Sequence, residues 1–173
     1  MKKTYIIAEI GINHNGDLNV AKRLIDVAAL SGCDAVKFQK RNPDVCVPEH
    51  QKSVMRETPW GTMTYLEYKH RMEFNEKEYD EIDLYCKIKG IEWSASPWDM
   101  DSLDFLLQYD IPFLKIPSAM ITNEELMRAC ASTGKKIIFS AGMSSLDEVD
   151  KAVRWMEEES ANFALLHCNS SYP

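Results

Sequence analysis

Hydrophobic residues along this 173-residue chain fall in short continuous runs, and amphipathic stretches separate one run from the next. Short runs that are apolar throughout are typical of strands buried on both faces of a parallel sheet. The pattern predicts six strands, at residues 5–11, 34–39, 91–96, 113–118, 136–141 and 163–168. The amphipathic stretches repeat with the period of a helix and predict five helices, at residues 20–31, 76–89, 101–109, 123–133 and 146–159.

The residues at the ends of the predicted helices agree with this assignment. Asp17 and Asn19 can cap the first helix, and Gly32, Gly90 and Gly134 follow three of the helices. A regular alternation of strand and helix predicts an α/β fold with a parallel sheet and helices outside it. Two architectures satisfy the pattern, a doubly wound open sheet and a (β/α)8 TIM barrel of which this chain supplies about six βα units.

The stretch 40–75 interrupts the regular alternation. It contains three prolines and the aromatic residues Trp60, Tyr65 and Tyr68 between the second strand and its helix. A connection of this length in a compact domain usually has a function. The sequence predicts either a lid over an active site or a packing excursion over one end of the sheet.

Composition excludes several classes of protein. Hydrophobic residues make up 45% and charged residues 27% of the chain, as in ordinary globular domains. The net charge of -7 and the absence of a basic cluster disfavour a nucleic-acid partner. Five scattered cysteines predict reduced thiols and a cytoplasmic location. The first apolar run is short and contains Glu9, so it predicts neither a signal peptide nor a membrane span.

Polar and charged side chains gather at the carboxyl ends of the predicted strands, where chemistry collects in parallel α/β proteins. They are, in strand order, Glu9, Lys37, Gln39, Ser94, Ser96, Lys115, Ser118, Ser140, Asn169, Ser170 and Tyr172. A single serine at the end of a strand is usually a cap or a turn residue. The prediction of a site therefore depends on the whole set.

The two lysines carry most of this prediction, because a lysine within an apolar strand is costly unless it meets an anion. Together with Glu9 and the hydroxyl groups, Lys37 and Lys115 predict a site for a substrate that carries phosphate and carboxylate groups. The alternative is a structural ion pair between either lysine and Glu9. Lys115 and Ser118 lie three residues apart, and we expect Pro117 to mark a bulge that lets both side chains reach one site.

Five stretches, taken in chain order, resemble the sialic acid synthases and related nonulosonate synthases. They are AEIGINHNGD (8–17), DAVKFQK (34–40), KIPSA (115–119), IIFSAGMSSLDEV (137–149) and LLHCNSSYP (165–173). The resemblance implies a (β/α)8 barrel followed by a small antifreeze-like domain. It also implies the condensation of phosphoenolpyruvate with N-acetylmannosamine or a related amino sugar, with release of phosphate.

The resemblance implies a role for each matching residue. Glu9 is the catalytic carboxylate near the sugar aldehyde, and Gln39 faces the sugar. Apart from the resemblance, we expect Asn13 and His14 at the rim of the site, with His14, as a lone histidine, a loop residue that makes local hydrogen bonds. The residues that bind phosphoenolpyruvate are Lys37, Ser96, Lys115, Ser118, Ser140, Ser170 and Tyr172. Met120 stands where many members have glutamate, so the acceptor sugar stays open.

The resemblance also implies a divalent metal, manganese or magnesium, and a homodimer. The family's metal-ligating histidines lie on the seventh and eighth strands, so we expect the ligands beyond Pro173. We therefore expect this chain to be the N-terminal portion of a synthase barrel, without strands seven and eight and without the antifreeze-like domain.

Two other functions remain open at this point. One is a non-catalytic module that binds phosphate or another anion, or that serves assembly. The other is an aldolase-type barrel enzyme in which Lys37 or Lys115 forms a Schiff base.

Overall fold

The structure is a computed structural model that describes residues 4–171, and the chain divides into two units, Met1–Trp93 and Ser94–Pro173. Unit 1 contains strands β1 (Ile7–Gly11) and β2 (Ala35–Lys40), helices α1 (Leu18–Leu30), α2 (Pro43–Cys46), α3 (Glu49–Lys52), α4 (Tyr65–Met72) and α5 (Glu76–Lys89), and the hairpin β3 (Met55–Thr58) and β4 (Gly61–Thr64). Strand β5 (Glu92–Pro97) begins in unit 1 and ends in unit 2. Unit 2 continues with α6 (Met100–Leu106), β6 (Phe113–Ile116), α7 (Glu124–Ala131), β7 (Lys136–Ser140), α8 (Leu146–Glu158) and β8 (Phe163–Leu166).

Strands β1 and β2 of unit 1 pair in parallel, and their register places Glu9 opposite Lys37. The register shifts between Glu9 and Gly11, so the end of β1 carries an irregularity directly after the carboxylate. Helix α1 begins where the Asp17 side chain accepts the N–H groups of Asn19 and Val20. The Asp17 cap therefore ends the loop that follows Glu9 and starts the helix that packs on the sheet.

The core of unit 1 lies between the sheet and its two long helices. Helix α1 buries Ala21, Ile25 and Ala28, and helix α5 buries Tyr79, Ile82 and Cys86. The two helices are joined at their sides by an ion pair of 2.7 Å between Lys22 and Glu81. Apolar burial therefore holds the helices on the sheet, and the exposed ion pair adds little.

The segment 40–75 has regular secondary structure, whereas the sequence predicted only a long loop. It folds as two short helices, an antiparallel hairpin and helix α4. Thr64 and Glu67 form a capping box that starts α4. Met72 and Phe74 at its end are buried, so this end of the segment packs into unit 1.

Strands β6, β7 and β8 of unit 2 form a parallel sheet in that order. Its core contains the fully buried side chains of Leu114, Ile116, Leu126, Met127 and Phe139. Helices α7 and α8 pack beside each other on this sheet. The predicted class, an α/β fold with parallel strands, is confirmed.

All six predicted strands and all five predicted helices are present; α5 has its predicted bounds, and the other elements differ from the prediction only at their ends. β1 begins two residues late because the Ile6 N–H donates to the Asp34 carboxylate instead of to a neighbouring strand. β6 ends before Pro117, where a 3-10 turn, Ser118–Met120, begins. The predicted bulge at Pro117 is wrong, since the chain changes direction through this turn after the strand has ended.

All five cysteines lie among the described residues as free thiols, as the sequence predicted. Within residues 4–171, every helix is too short or too polar to cross a lipid bilayer.

Candidate active site

The carboxylate of Glu9 and the ammonium group of Lys37 form an ion pair in unit 1. Glu9 Oε2 lies 2.9 Å from Lys37 Nζ, as the register of β1 and β2 requires. The Lys37 side chain is only 10% exposed, whereas that of Glu9 is 49% exposed. Burial lowers the pKa of Lys37, and the charge of Glu9 opposes this effect. The predicted alternative of an ion pair with Glu9 is therefore observed for Lys37, and Glu9 keeps an open side.

Gln39 lies beside this pair at the end of β2. Its Oε1 accepts a short hydrogen bond from the Arg41 guanidinium, and its backbone carbonyl accepts from the Tyr79 hydroxyl at 3.1 Å. Arg41 in turn faces Glu73, which follows α4. The sequence-based prediction did not include Arg41 or Glu73. Arg41 could have been found from its spacing, because residues two positions apart, such as Gln39 and Arg41, point to the same side of an extended chain.

His14 is buried, so the predicted place on the rim of the site is wrong, whereas the predicted role in local hydrogen bonds of the loop is confirmed. It is 2% exposed, and its ring stacks on Phe74 with 4.1 Å between the ring centroids. Its Nδ1 accepts the Gly16 N–H at 3.1 Å, so the loop after β1 is held by a neutral imidazole. Burial lowers the pKa of His14 to about 4. Asn13 likewise serves the loop, since its Nδ2 donates to the Ile10 carbonyl.

We expect His14 to make the protein less stable in acid. The unfolded chain binds a proton at His14 below pH 6.5, whereas the folded chain binds it only near pH 4, so stability falls between these values. The loss has an upper limit of about 3 kcal/mol, and no further loss comes from this group below pH 4. Urea unfolding at pH 7 and pH 4.5 measures it. The free energy of unfolding of His14→Phe should decrease less between pH 7 and pH 4.5 than that of the wild type. The control His50→Asn, at an exposed position, should show the full decrease.

Lys115 and Ser140 form the corresponding polar pair in unit 2. Lys115 is 9% exposed, and its Nζ donates to Ser140 Oγ at 2.5 Å and to the Ile116 carbonyl at 2.8 Å. These two residues lie on the adjacent parallel strands β6 and β7. A buried ammonium group beside a hydroxyl is suited to an anion, because both can donate to its oxygens.

The hydroxyl groups of Ser118 and Ser170 converge on Gly142. Ser118 Oγ accepts the Gly142 N–H at 3.0 Å, so its own hydrogen is available to a ligand. A Cβ atom at Gly142 would lie 2.4 Å from Ser170 Oγ and 2.9 Å from Ser118 Oγ. Glycine at this position therefore allows the two hydroxyls to approach each other.

A cavity of about 450 Å³ adjoins Ser170 and is lined by Met143, His167, Cys168, Asn169, Ser170 and Ser171. Another predicted residue, Ser96, is fully buried on β5. Tyr172 lies outside the described residues. Ser94 has a structural role, since its hydroxyl donates to the Phe113 carbonyl inside unit 2.

A larger groove of about 610 Å³ runs along α7 and α8 and includes Glu124, Lys151, Arg154 and Glu158. Charges of both signs alternate along it, and Glu124 and Glu158 each pair with Arg128. These exposed pairs are worth little, and the groove collects none of the predicted site residues.

The described residues, 4–171, contain no group of three or more histidine, cysteine, aspartate or glutamate side chains that could hold a metal ion. The side chains present therefore do not fit the divalent cation that the resemblance implies.

The chain is similar in sequence to proteins of known family. The model of the NeuB family matches residues 24–173. The chain is 39% identical to the N,N'-diacetyllegionaminic acid synthase of Campylobacter jejuni, over all of this chain and 53% of that protein. It is 36% identical to the human N-acetylneuraminate-9-phosphate synthase, over 98% of this chain and 47% of that protein.

The fold is similar to a solved structure, the N-acetylneuraminic acid synthetase of Leptospira borgpetersenii in complex with citrate. The TM-score is 0.88 at 35% identity, and the match covers 99% of this chain and 56% of that one. This likeness confirms the (β/α)8 barrel class over the doubly wound sheet. The chain spans about half the length of the curated relatives it matches.

Proposed function

Because the chain belongs to the NeuB family, we propose that it takes part in the condensation of phosphoenolpyruvate with N-acetylmannosamine or a related amino sugar. The products are a nonulosonate of the sialic acid type and phosphate. The observation that carries this proposal is the pair of buried lysines, Lys37 beside Glu9 and Lys115 beside Ser140. Buried ammonium groups next to hydroxyls and one open carboxylate suit an anionic enol and a sugar that reacts with it.

The reaction forms one carbon–carbon bond and breaks one carbon–oxygen bond. C3 of phosphoenolpyruvate attacks the aldehyde carbon of the sugar, and the aldehyde oxygen takes up a proton. Positive charge then develops at C2, and water adds there and loses a proton. The bond from C2 to the phosphate oxygen then breaks and the C2 hydroxyl gives up its proton to the leaving phosphate, which leaves the 2-keto group or its cyclic form and free phosphate.

In unit 1, we assign the proton transfer and the acceptor sugar to the Glu9 neighbourhood. Lys37 pairs with Glu9 Oε2, and half of the Glu9 side chain is exposed, so the carboxylate can accept the proton of the attacking water, and its charge stabilises the cationic C2. Gln39 contacts the sugar. Lys37 binds an oxygen of phosphoenolpyruvate from its buried position.

In unit 2, we assign the binding of the phosphate and carboxylate of phosphoenolpyruvate. Lys115 and Ser140 supply a charge and a donor on neighbouring strands. Ser118 and Ser170 add directional hydroxyls around Gly142, and Ser96 and Tyr172 complete the set. The charged lysine stabilises the phosphate as it leaves.

We further propose that the chain is equivalent to the N-terminal part of the synthase barrel of its relatives. The support is a match that covers this chain completely and about half of each relative. A divalent cation, a homodimer and a cytoplasmic location are part of the same proposal.

The proposal is tested by phosphate release from the intact gene product. Release should require phosphoenolpyruvate and an amino sugar together, and EDTA should abolish it. N-acetylmannosamine and its diacetylated and phosphorylated relatives are supplied one at a time. Binding of phosphoenolpyruvate without release under any metal would show a non-catalytic anion-binding module instead.

A second candidate function is a Schiff-base aldolase, which the lowered pKa of Lys37 favours. The ion pair with Glu9 argues against it, because the negative charge of Glu9 favours the protonated form of the amine and opposes the effect of burial on its pKa. Borohydride reduction in the presence of pyruvate, followed by mass spectrometry of the peptides, decides between the two. A covalent adduct on Lys37 would support the aldolase.

We expect Gly142→Ala to raise the KM for phosphoenolpyruvate about tenfold, with a much smaller change in the KM for the sugar. The added methyl group would force the Ser118 and Ser170 hydroxyls to rotate away. In the double variant Gly142→Ala/Ser170→Ala, the nearer of the two oxygens is gone, so the methyl group should cost less than it does in the wild-type background. Equal costs in both backgrounds would contradict the proposed convergence.

A further inference from the structure

The contact between Arg41 and Gln39 determines which end of the Gln39 amide faces the open side of Glu9. A guanidinium group can only donate hydrogen bonds, so the atom of Gln39 that meets Arg41 must be the carbonyl oxygen Oε1. The amide nitrogen Nε2 then points away from Arg41. The reverse orientation of the amide is unfavourable, because it would place the N–H groups of Gln39 Nε2 against those of the Arg41 guanidinium.

The Nε2 atom of Gln39 and the Oε1 atom of Glu9 meet over Gly11. They lie 3.3 Å and 2.9 Å, respectively, from the position that a Cβ atom would take at Gly11. Gly11 has φ +55, so glycine suits this position for its backbone as well as for the space above it. Both atoms therefore border the same side of Gly11, and a donor and an acceptor close together match a hydroxyl group, which accepts from the amide and donates to the carboxylate.

Arg41 is itself held in place by Glu73. Arg41 Nη1 lies 3.6 Å from Glu73 Oε1, and the Arg41 N–H donates to Glu73 Oε2 at 3.1 Å. Both side chains are about nine-tenths buried, at 10% and 9% exposure. Lys40 Nζ approaches the same carboxylate at 3.8 Å and donates to the Phe74 carbonyl at 2.8 Å. A buried carboxylate with two cations around it is rigid, since moving either partner leaves an uncompensated charge.

We propose that Arg41 is a positioning residue that fixes the Gln39 amide, so that Gln39 Nε2 and Glu9 Oε1 together bind one hydroxyl group of the acceptor sugar. This inference rests on the proposed function. Glu73, which follows α4, extends the arrangement to the segment 40–75. The segment 40–75 therefore takes part in acceptor binding through Glu73 and its contact with Arg41.

The test is a double-mutant cycle in the intact gene product with Arg41→Met and Gln39→Ala. Arg41→Met should raise the KM for N-acetylmannosamine about tenfold and leave the KM for phosphoenolpyruvate within twofold, since one hydrogen bond to the sugar is lost. In the Gln39→Ala background, Arg41→Met should add less than twofold. A merely structural role would give the same change in both backgrounds and would overturn the inference.

A matched control is Arg56→Met, because Arg56 is an exposed arginine of the same segment that stacks on Tyr65. It should leave both KM values unchanged. Arg41→Lys keeps a group that only donates, so it should restore the KM for the sugar to within about threefold of the wild type. No restoration by lysine, together with a lowered melting temperature for both Arg41 variants, would indicate a role in stability alone.

A second measurement does not depend on turnover. The side-chain amide resonances of Gln39, assigned by their loss in Gln39→Ala, should be well separated in the wild type and should move to free-glutamine positions in Arg41→Met. Unchanged resonances would overturn the positioning role even in an active enzyme. If the wild type releases no phosphate with any amino sugar, the proposed function fails, and these resonances still decide whether Arg41 orients Gln39.

Discussion

Glu9→Gln is expected to lower kcat about 100-fold or more, while the chain keeps its fold. The amide has the same shape and can still accept a hydrogen bond from Lys37, which lies 2.9 Å from the carboxylate. It cannot take up a proton from water, and it brings no negative charge to the developing cation at C2. The measurement is phosphate release under saturating phosphoenolpyruvate and sugar.

The control for this prediction is Glu125→Gln, the same change at an exposed position of α7. It should leave kcat unchanged. Because Lys37 loses its charge partner in Glu9→Gln, the thermal unfolding of both variants should be recorded as well. A Glu9→Gln enzyme that unfolds normally and retains kcat within threefold of the wild type would remove Glu9 from the mechanism.

Lys115→Met is expected to raise the KM for phosphoenolpyruvate about 100-fold, because a buried charge that meets an anion is worth several kcal/mol. Methionine keeps the apolar stem of the side chain in the core of unit 2 and removes only the ammonium group. Ser140 Oγ and the Ile116 carbonyl then lose their common donor. Initial rates at varied phosphoenolpyruvate, with the sugar held saturating, give the KM.

Lys136→Met provides the comparison, since Lys136 begins β7, four residues before Ser140, and is exposed. Its KM for phosphoenolpyruvate should equal that of the wild type. The two variants differ in burial and not in charge, so equal values for both would show that the Lys115 ammonium does not bind the substrate.

Sequence reasoning succeeded for the fold because the signals it used are local. The helix Glu76–Lys89 agrees with its prediction to the residue, since Asn75 caps one end and Gly90 adopts the left-handed conformation at the other. The strands were found because their apolar runs are uninterrupted. The prediction failed at Pro117, where the ladder to β7 ends at Ile116 and a turn begins, and ladder length depends on the neighbouring strand.

The segment 40–75 was predicted only as an interruption, because its elements are too short to show a period. Its hairpin and its two four-residue helices each depend on turns and caps rather than on a hydrophobic repeat. The sequence around Glu73 carries no signal that distinguishes it from the other acidic residues of this chain. Its burial against Arg41 depends on packing between residues 32 positions apart.

By itself, the sequence determined the alternation of strands and helices, the parallel α/β class and the carboxylate and lysines that end the strands, because periodicity, capping and the cost of a buried charge are properties of neighbouring residues. The tertiary structure decided what those groups meet. It paired Lys37 with Glu9 and Lys115 with Ser140, buried His14 under Phe74, and turned the Gln39 amide with an arginine held by Glu73. Each of these depends on strand register or on the return of a distant segment, and a hydrogen bond or an ion pair requires both partners within a few ångströms.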